Sequence, residues 1–166
     1  MIGFLVLIHA LRYYILIDDL DDELMRYLAY VPARLTFYFD PDRIADALSQ
    51  LPVRNGALES AQFFLGDGNP QFWTLVTYSF LHADWSHVGI NSVWLAAFGT
   101  PVARRIGPMR FILFLTFTAI AGALGHSVIH LTDFTPMIGA SAAVSAAMGA
   151  SVRFIFSADG PLAASG

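Results

Sequence analysis

Three side chains in this sequence have the types and spacing for chemistry: Ser141 in Gly139-Ala140-Ser141-Ala142, and His87 and Asn91 in His87-Val88-Gly89-Ile90-Asn91. The serine stands where a polar connection gives way to a run of small residues, at the first turn of an expected helix. Backbone N–H groups in that turn have no intrahelical acceptor, so they can stabilise the oxyanion formed when a serine hydroxyl attacks a carbonyl. A spacing of i and i+4 puts His87 and Asn91 on one helix face. Both carry N–H donors, which serve either to hold the same anion or to bond helices together; a polar pair in lipid is costly unless it has one of these uses.

Other constellations compete with this one. His82, Asp84 and His87, in His82-Ala83-Asp84-Trp85-Ser86-His87, are metal-ligand types, although their spacing matches no established metal motif. His126 and His130 again stand four apart. Gly125-His126 invites the role of catalytic base, but the position predicts the outer end of a helix, where water or neighbours satisfy both rings. His9 lies within the first apolar stretch and suggests no chemistry. With no cysteine in the chain, disulfides, thiolate metal sites and cysteine nucleophiles are excluded.

The elements that must position these residues are membrane helices. Over 166 residues the chain is 56% hydrophobic and 13% charged, with a mean hydropathy of +0.58, far more apolar than an ordinary globular domain. Its nine basic residues are all arginine, and ten of the thirteen acids fall between Asp18 and Asp67. That distribution offers no basic patch for nucleic acid. The apolar start lacks a basic leader and a small-residue cleavage site, so it predicts a membrane segment and not a signal peptide.

Four spans are expected, at residues 2–17, 85–102, 109–131 and 140–156. The first is short for a bilayer core of roughly 30 Å. Either its start lies upstream, or Arg12 snorkels to an interface and the helix ends early. Residues 18–70 form a long outward loop, with turn signals at Val31-Pro32, Asp40-Pro41, Leu51-Pro52, Asn55-Gly56 and Gly66-Asp67-Gly68-Asn69-Pro70. Leu35 to Phe39 and Ile44, Ala47, Leu48 and Leu51 predict short amphipathic helices within it, lying at the bilayer surface. A further short helix is expected over Phe72 to Leu81, and a polar tail from Ser157. Arg104, Arg105 and Arg110 between spans two and three, with Arg153 near the end of span four, place those ends in the cytoplasm and Ser141 near the outer surface. In span four, Ser141, Ser145 and Gly149 form one row of small residues and Ala142, Ala146 and Ala150 another. Both rows are expected to be close helix contacts, with a bulky residue at Gly149 separating the helices.

Phe80-Leu81-His82, His87 to Asn91, and Gly139-Ala140-Ser141-Ala142, in this order over roughly Gln71 to Arg153, resemble the rhomboid family of intramembrane serine proteases. The resemblance implies an all-α polytopic membrane helix bundle with six spans, of which this chain carries about four, so that residues 1–166 form a single incomplete domain. It implies a serine endopeptidase that cleaves transmembrane protein substrates with a serine and histidine dyad, and no cofactor or metal. Ser141 becomes the nucleophile, His87 and Asn91 the oxyanion donors, His82 a structural or site-lining histidine, and Gly139 a border of the substrate cleft. The expected setting is a multi-pass protein of a bacterial inner membrane.

The sequence departs from the family pattern in four places, one of them Ala103, which occupies the acidic position that often precedes the arginine here matched by Arg105. Ala142 replaces the last glycine of G-x-S-G, Ser145 stands where many members carry an aromatic residue, and no histidine follows His130 to act as the base. A fragment without that base is expected to be inactive, since serine alone is a weak nucleophile. The competing expectations are a rhomboid-like pseudoenzyme that binds membrane helices, and a membrane protein that binds a metal through His82, Asp84 and His87.

Overall fold

The computed structural model describes residues 1–52 and 56–155. The predicted polar tail from Ser157, and the last residue of the predicted fourth span, lie outside the described residues.

Helix α1 spans Ile2–Ile15 and ends at Leu16, which is extended. Arg12 in its last turn donates Nε and Nη2 to the two carboxylate oxygens of Asp21 at 2.7 and 2.8 Å, and Nη1 to the His82 carbonyl at 2.9 Å. The helix stops at Ile15, two residues before the end of the expected span. Its arginine is spent on a carboxylate and a carbonyl, and its side chain is only 10% exposed.

An outer layer follows. The acidic run read as loop is helical: α2 covers Asp18–Leu28, with Asp18, Asp19 and Asp21 in its first turn. Carboxylates there meet the partial positive charge of unpaired N–H groups, so the run that looked too polar for structure favours a helix start. Helices α3, Pro32–Phe39, and α4, Pro41–Ser49, each begin on a proline at the position where a missing N–H costs nothing, and Asp40 caps α4 by accepting the Arg43 N–H. These match the two amphipathic segments expected. Helix α5 spans Ala57–Leu65.

Arg34 holds this layer together. It is buried, donates Nε to the Phe64 carbonyl and donates Nη1 to Gln71 Oε1 at 2.7 Å. Burial, and then Arg26 nearby, pull its pKa down to about 10, so the guanidinium is still charged at neutral pH. Val31, Ala33, Ile44 and Leu65 pack into a small core of their own beneath it.

Helix α6, Thr74–Thr77, and a 3-10 turn, Tyr78–Phe80, lead from the outer layer to the core helices. Next comes one unbroken rod from Trp85 to Ile106: α7, Trp85–Trp94; a π turn, Leu95–Gly99; and α8, Thr100–Ile106. Pro101 has no N–H to return to the preceding turn, which accounts for the widening. The Phe98 carbonyl in the π turn accepts the Ser151 hydroxyl at 2.8 Å.

Helix α9, Pro108–Ile129, has 22 residues and is long and apolar enough by itself to cross a membrane. Helix α10, Ser141–Ile155, runs back along it. The two meet where Gly122 has no side chain: a Cβ there would collide with the Cβ of Ala142. At the other end the Arg105 guanidinium sits over the Phe154 ring, 4.9 Å from its centroid.

Leu5, Val88, Leu95, Leu115, Ala140, Ala143 and Val144 form the main core, so α1, α7, α9 and α10 share it. One expected contact is not made among the described residues. The row Ser141, Ser145 and Gly149 is exposed, and a Cβ at Gly149 would meet nothing within 4 Å. Among the described residues the buried side of α10 is Ala143, Val144, Ala147 and Ser151, between the two small-residue rows. Bulk at Gly149 therefore separates none of the described helices.

Candidate active site

Ser141 is the first residue of α10, and its hydroxyl-bearing side is exposed. The chain reaches it through a connection that is pinned at several points. Tyr30 and Met137 exchange backbone hydrogen bonds of 3.2 and 2.7 Å, the Ala33 N–H bonds the Asp133 carbonyl at 3.0 Å, and the Gly139 N–H bonds the Tyr78 carbonyl at 3.0 Å. The outer layer thus fixes where α10 begins. Tyr78 in turn is buried and donates its hydroxyl to the Ala119 carbonyl of α9 at 2.9 Å.

Gly139 has φ +113, a conformation that side chains rarely allow. A Cβ at this position would lie 2.7 Å from His87 Nε2 and 2.8 Å from its Cε1. The two residues flanking Ala140 therefore do different things: Gly139 makes room for an imidazole, and Ser141 opens the helix. The His87 ring is oriented from behind, where the Ala83 N–H faces its Nδ1 at 3.5 Å. A nitrogen that faces an N–H is the unprotonated one, which in the neutral ring leaves the proton on Nε2, toward Gly139.

Asn91 is buried and donates its amide to the His87 carbonyl, one turn back on the same helix, at 3.0 Å. That bond stays within α7. It accounts for one of the two amide hydrogens and leaves the second for another acceptor.

His82 is completely buried and packs edge-on against His87, with ring centroids 5.0 Å apart. Burial, and then the neighbouring His87, push its pKa down to about 4, so the ring is neutral. Its two nitrogens have no partner among the described residues. Asp84 is the N-cap of α7: its Oδ1 accepts the His87 N–H at 2.8 Å and the Ser86 hydroxyl at 2.5 Å. Those bonds hold its carboxyl below the usual range. The carboxylate expected as a possible metal ligand is thus engaged in starting a helix, and among the described residues no three His, Asp or Glu side chains converge as a metal site.

Beside Ser141 lies a groove of about 220 Å³, lined by Tyr78, Gly122, His126, Met137, Ile138, Ser141, Ala142 and Ser145. Sequence reasoning gave Tyr78 no role and set His126 aside. The i, i+4 spacing of Gly122 and His126, together with Gly122 as the contact point to Ala142, is the signal that would have placed His126 on this wall. His126 also stacks on His130 at 4.4 Å.

An all-α bundle of apolar helices, with a serine at a helix start and an imidazole and an amide one helix away, is the class that this fold and site define. A profile of the rhomboid domain matches residues 69–163, more than half of the sequence, and the chain belongs to the rhomboid family. Family membership makes it an integral membrane protein. It is 34% identical over 80 residues to the putative rhomboid protease YdcA of Bacillus subtilis, a match that covers 48% of this chain and 40% of the relative. RHOMBOID-like protein 12, mitochondrial, of Arabidopsis thaliana is 37% identical over 45% of this chain and 27% of its own. Rhomboid-like protein 16, chloroplastic, from the same plant is 39% identical over 49% and 23%. The chain therefore matches less than half the length of each of these relatives. No solved structure matches it.

Proposed function

We propose that the intact protein is a serine endopeptidase that cleaves transmembrane protein substrates within the bilayer. The observation that carries the reading is the packing of His87 Nε2 against Gly139, two residues ahead of a serine that opens a helix. In this reading α1, the α7–α8 rod, α9 and α10 are four membrane spans, and residues 1–166 are one incomplete domain.

Ser141 Oγ attacks the scissile carbonyl carbon while its proton passes to a base. The carbonyl oxygen becomes an anion held by the Ser141 backbone N–H, the His87 Nε2–H and the free amide hydrogen of Asn91. Collapse of that tetrahedral species breaks the C–N bond, the leaving amine takes the proton from the base, and water then hydrolyses the acyl-serine. In this reading the general base is not among residues 1–166, and the 166-residue chain alone is expected not to hydrolyse peptide bonds.

The pseudoenzyme reading draws on Ala142 and Ser145. The structure offers a packing reason for Ala142, since its Cβ occupies the space left by Gly122. The match to a bacterial relative supports a bacterial inner membrane as the location, while the mitochondrial and chloroplastic relatives support an organelle membrane.

The test is fluorophosphonate labelling of the full-length protein in membranes, with cleavage of a single-span substrate followed in parallel. Both are expected in the wild type and both vanish in Ser141→Ala. A wild-type protein that is folded, unlabelled and inactive gives the pseudoenzyme reading the field.

A further inference from the structure

Away from Ser141, a second groove of about 330 Å³ runs between α3 and the outer half of α9. Its sides are apolar, with Phe39 from α3 facing Leu124, Val128 and Leu131, and two of these residues are largely uncovered: Phe39 is 74% and Val128 75% exposed. In a membrane protein such a surface meets lipid. One end of the groove is different, because Asp40 and Arg43 line it there.

Those two charges do not neutralise each other. Arg43 touches Asp40 only through its backbone N–H, at 3.2 Å, and among the described residues its guanidinium has no ion-pair partner. Asp40 accepts that N–H with Oδ1, which leaves Oδ2 free. A cation and a carboxylate thus stand at the head of an apolar groove, each with unused hydrogen-bonding capacity.

The pattern of charge selects the occupant. An anionic head group would be drawn to Arg43 but repelled by Asp40, and by Asp42 and Asp46 on the same short helix. A zwitterionic head group satisfies both ends at once, with its phosphate on the guanidinium and its ammonium on the free carboxylate oxygen. An ammonium with N–H groups can donate to that oxygen, whereas a trimethylammonium cannot.

We propose that this groove holds one phosphatidylethanolamine molecule, its phosphate on Arg43, its ammonium on Asp40 and an acyl chain along Leu124 and Val128 of α9 and Leu131 just beyond it. The inference rests on the membrane placement of the family and is independent of catalysis by Ser141. The bound lipid would tie the outer layer to α9 at the level where lipid head groups begin.

The experiment is native mass spectrometry of the full-length protein, stripped of lipid in detergent and titrated separately with phosphatidylethanolamine, phosphatidylcholine and phosphatidylglycerol. The wild type is expected to bind phosphatidylethanolamine one to one, and more tightly than the other two. Arg43→Gln weakens phosphatidylethanolamine and phosphatidylcholine alike, by about tenfold, the scale of one charge-assisted contact. Asp40→Asn keeps the helix cap, because asparagine caps as well as aspartate. It therefore lowers the preference for phosphatidylethanolamine over phosphatidylcholine without disturbing α4, and this ratio decides the proposal even if Arg43→Gln folds poorly. Arg26→Gln, at a half-buried cation in the same layer that pairs with Glu23 and lies away from the groove, leaves lipid binding unchanged. Equal affinity for all three lipids in the wild type, or an unchanged lipid preference in Asp40→Asn, overturns the proposal.

Discussion

The imidazole of His87 occupies the space that a side chain at residue 139 would fill: Nε2 lies 2.7 Å from the position of a Cβ on Gly139. This contact joins the helix that carries two polar residues to the connection that delivers the serine. It also makes Gly139 the most sensitive position of the site that carries no functional group.

Gly139→Ala combines a strained φ with a direct clash, so either the ring or the start of α10 must move. A displacement of about 1 Å at a reacting centre costs on the order of 100-fold in rate. The expected result is a folded full-length protein whose Ser141 labels at least tenfold more slowly with fluorophosphonate. Wild-type labelling would mean that the contact has no bearing on the serine.

Asn91→Ala removes a donor whose only hydrogen bond within the described structure lies inside its own helix. No hydrogen bond between the described helices is lost, so expression and melting temperature should change little. Turnover of a transmembrane substrate by the full-length protein should fall by about 100- to 1000-fold, the cost of one oxyanion donor. Loss of folded protein in step with activity would show that the residue holds the bundle together.

His82 gives the fold a pH dependence whose sign is fixed by its neutral burial. Its pKa is about 4 when folded and 6.5 as an ordinary imidazole, so between those values the unfolded chain binds the extra proton. Stability is therefore complete above pH 6.5 and is lost as pH falls toward 4, by an amount on the order of 1–3 kcal/mol. Melting temperatures measured in detergent across this window should fall more steeply for the wild type than for His82→Gln. Parallel curves would count against the buried neutral ring.

Gly122→Val places bulk at the α9–α10 contact, where a single Cβ already collides with Ala142. Overpacking of this kind costs about 1–3 kcal/mol. The substitution should lower the melting temperature, whereas Gly149→Val, at an exposed position with open space around it, should leave the packing of the described helices intact.

Much of this architecture was legible in the residues alone. Hydropathy located α9, which is long and apolar enough to cross a membrane, and the shorter apolar α1, because a segment that crosses lipid must be apolar along its length, which composition records directly. The i, i+4 spacing of His87 and Asn91 and the small residues before Ser141 marked the site for the same reason: helix periodicity is local. The prolines at 32 and 41 announced α3 and α4. The acidic run from Asp18 misled, because polarity was taken for loop when carboxylates also stabilise a helix start.

What the sequence by itself determined is the apolar helices, the family pattern and the candidate residues for chemistry. Only the tertiary structure decided which faces meet. It turned the Ser141, Ser145 and Gly149 row away from the other described helices, brought His126 to the wall of the serine groove and anchored Arg12, in the last turn of α1, to the His82 carbonyl. These outcomes depend on contacts between residues far apart in the chain, where a single missing Cβ at Gly122 or Gly139 sets the approach of two backbones. Local periodicity carries no record of such contacts.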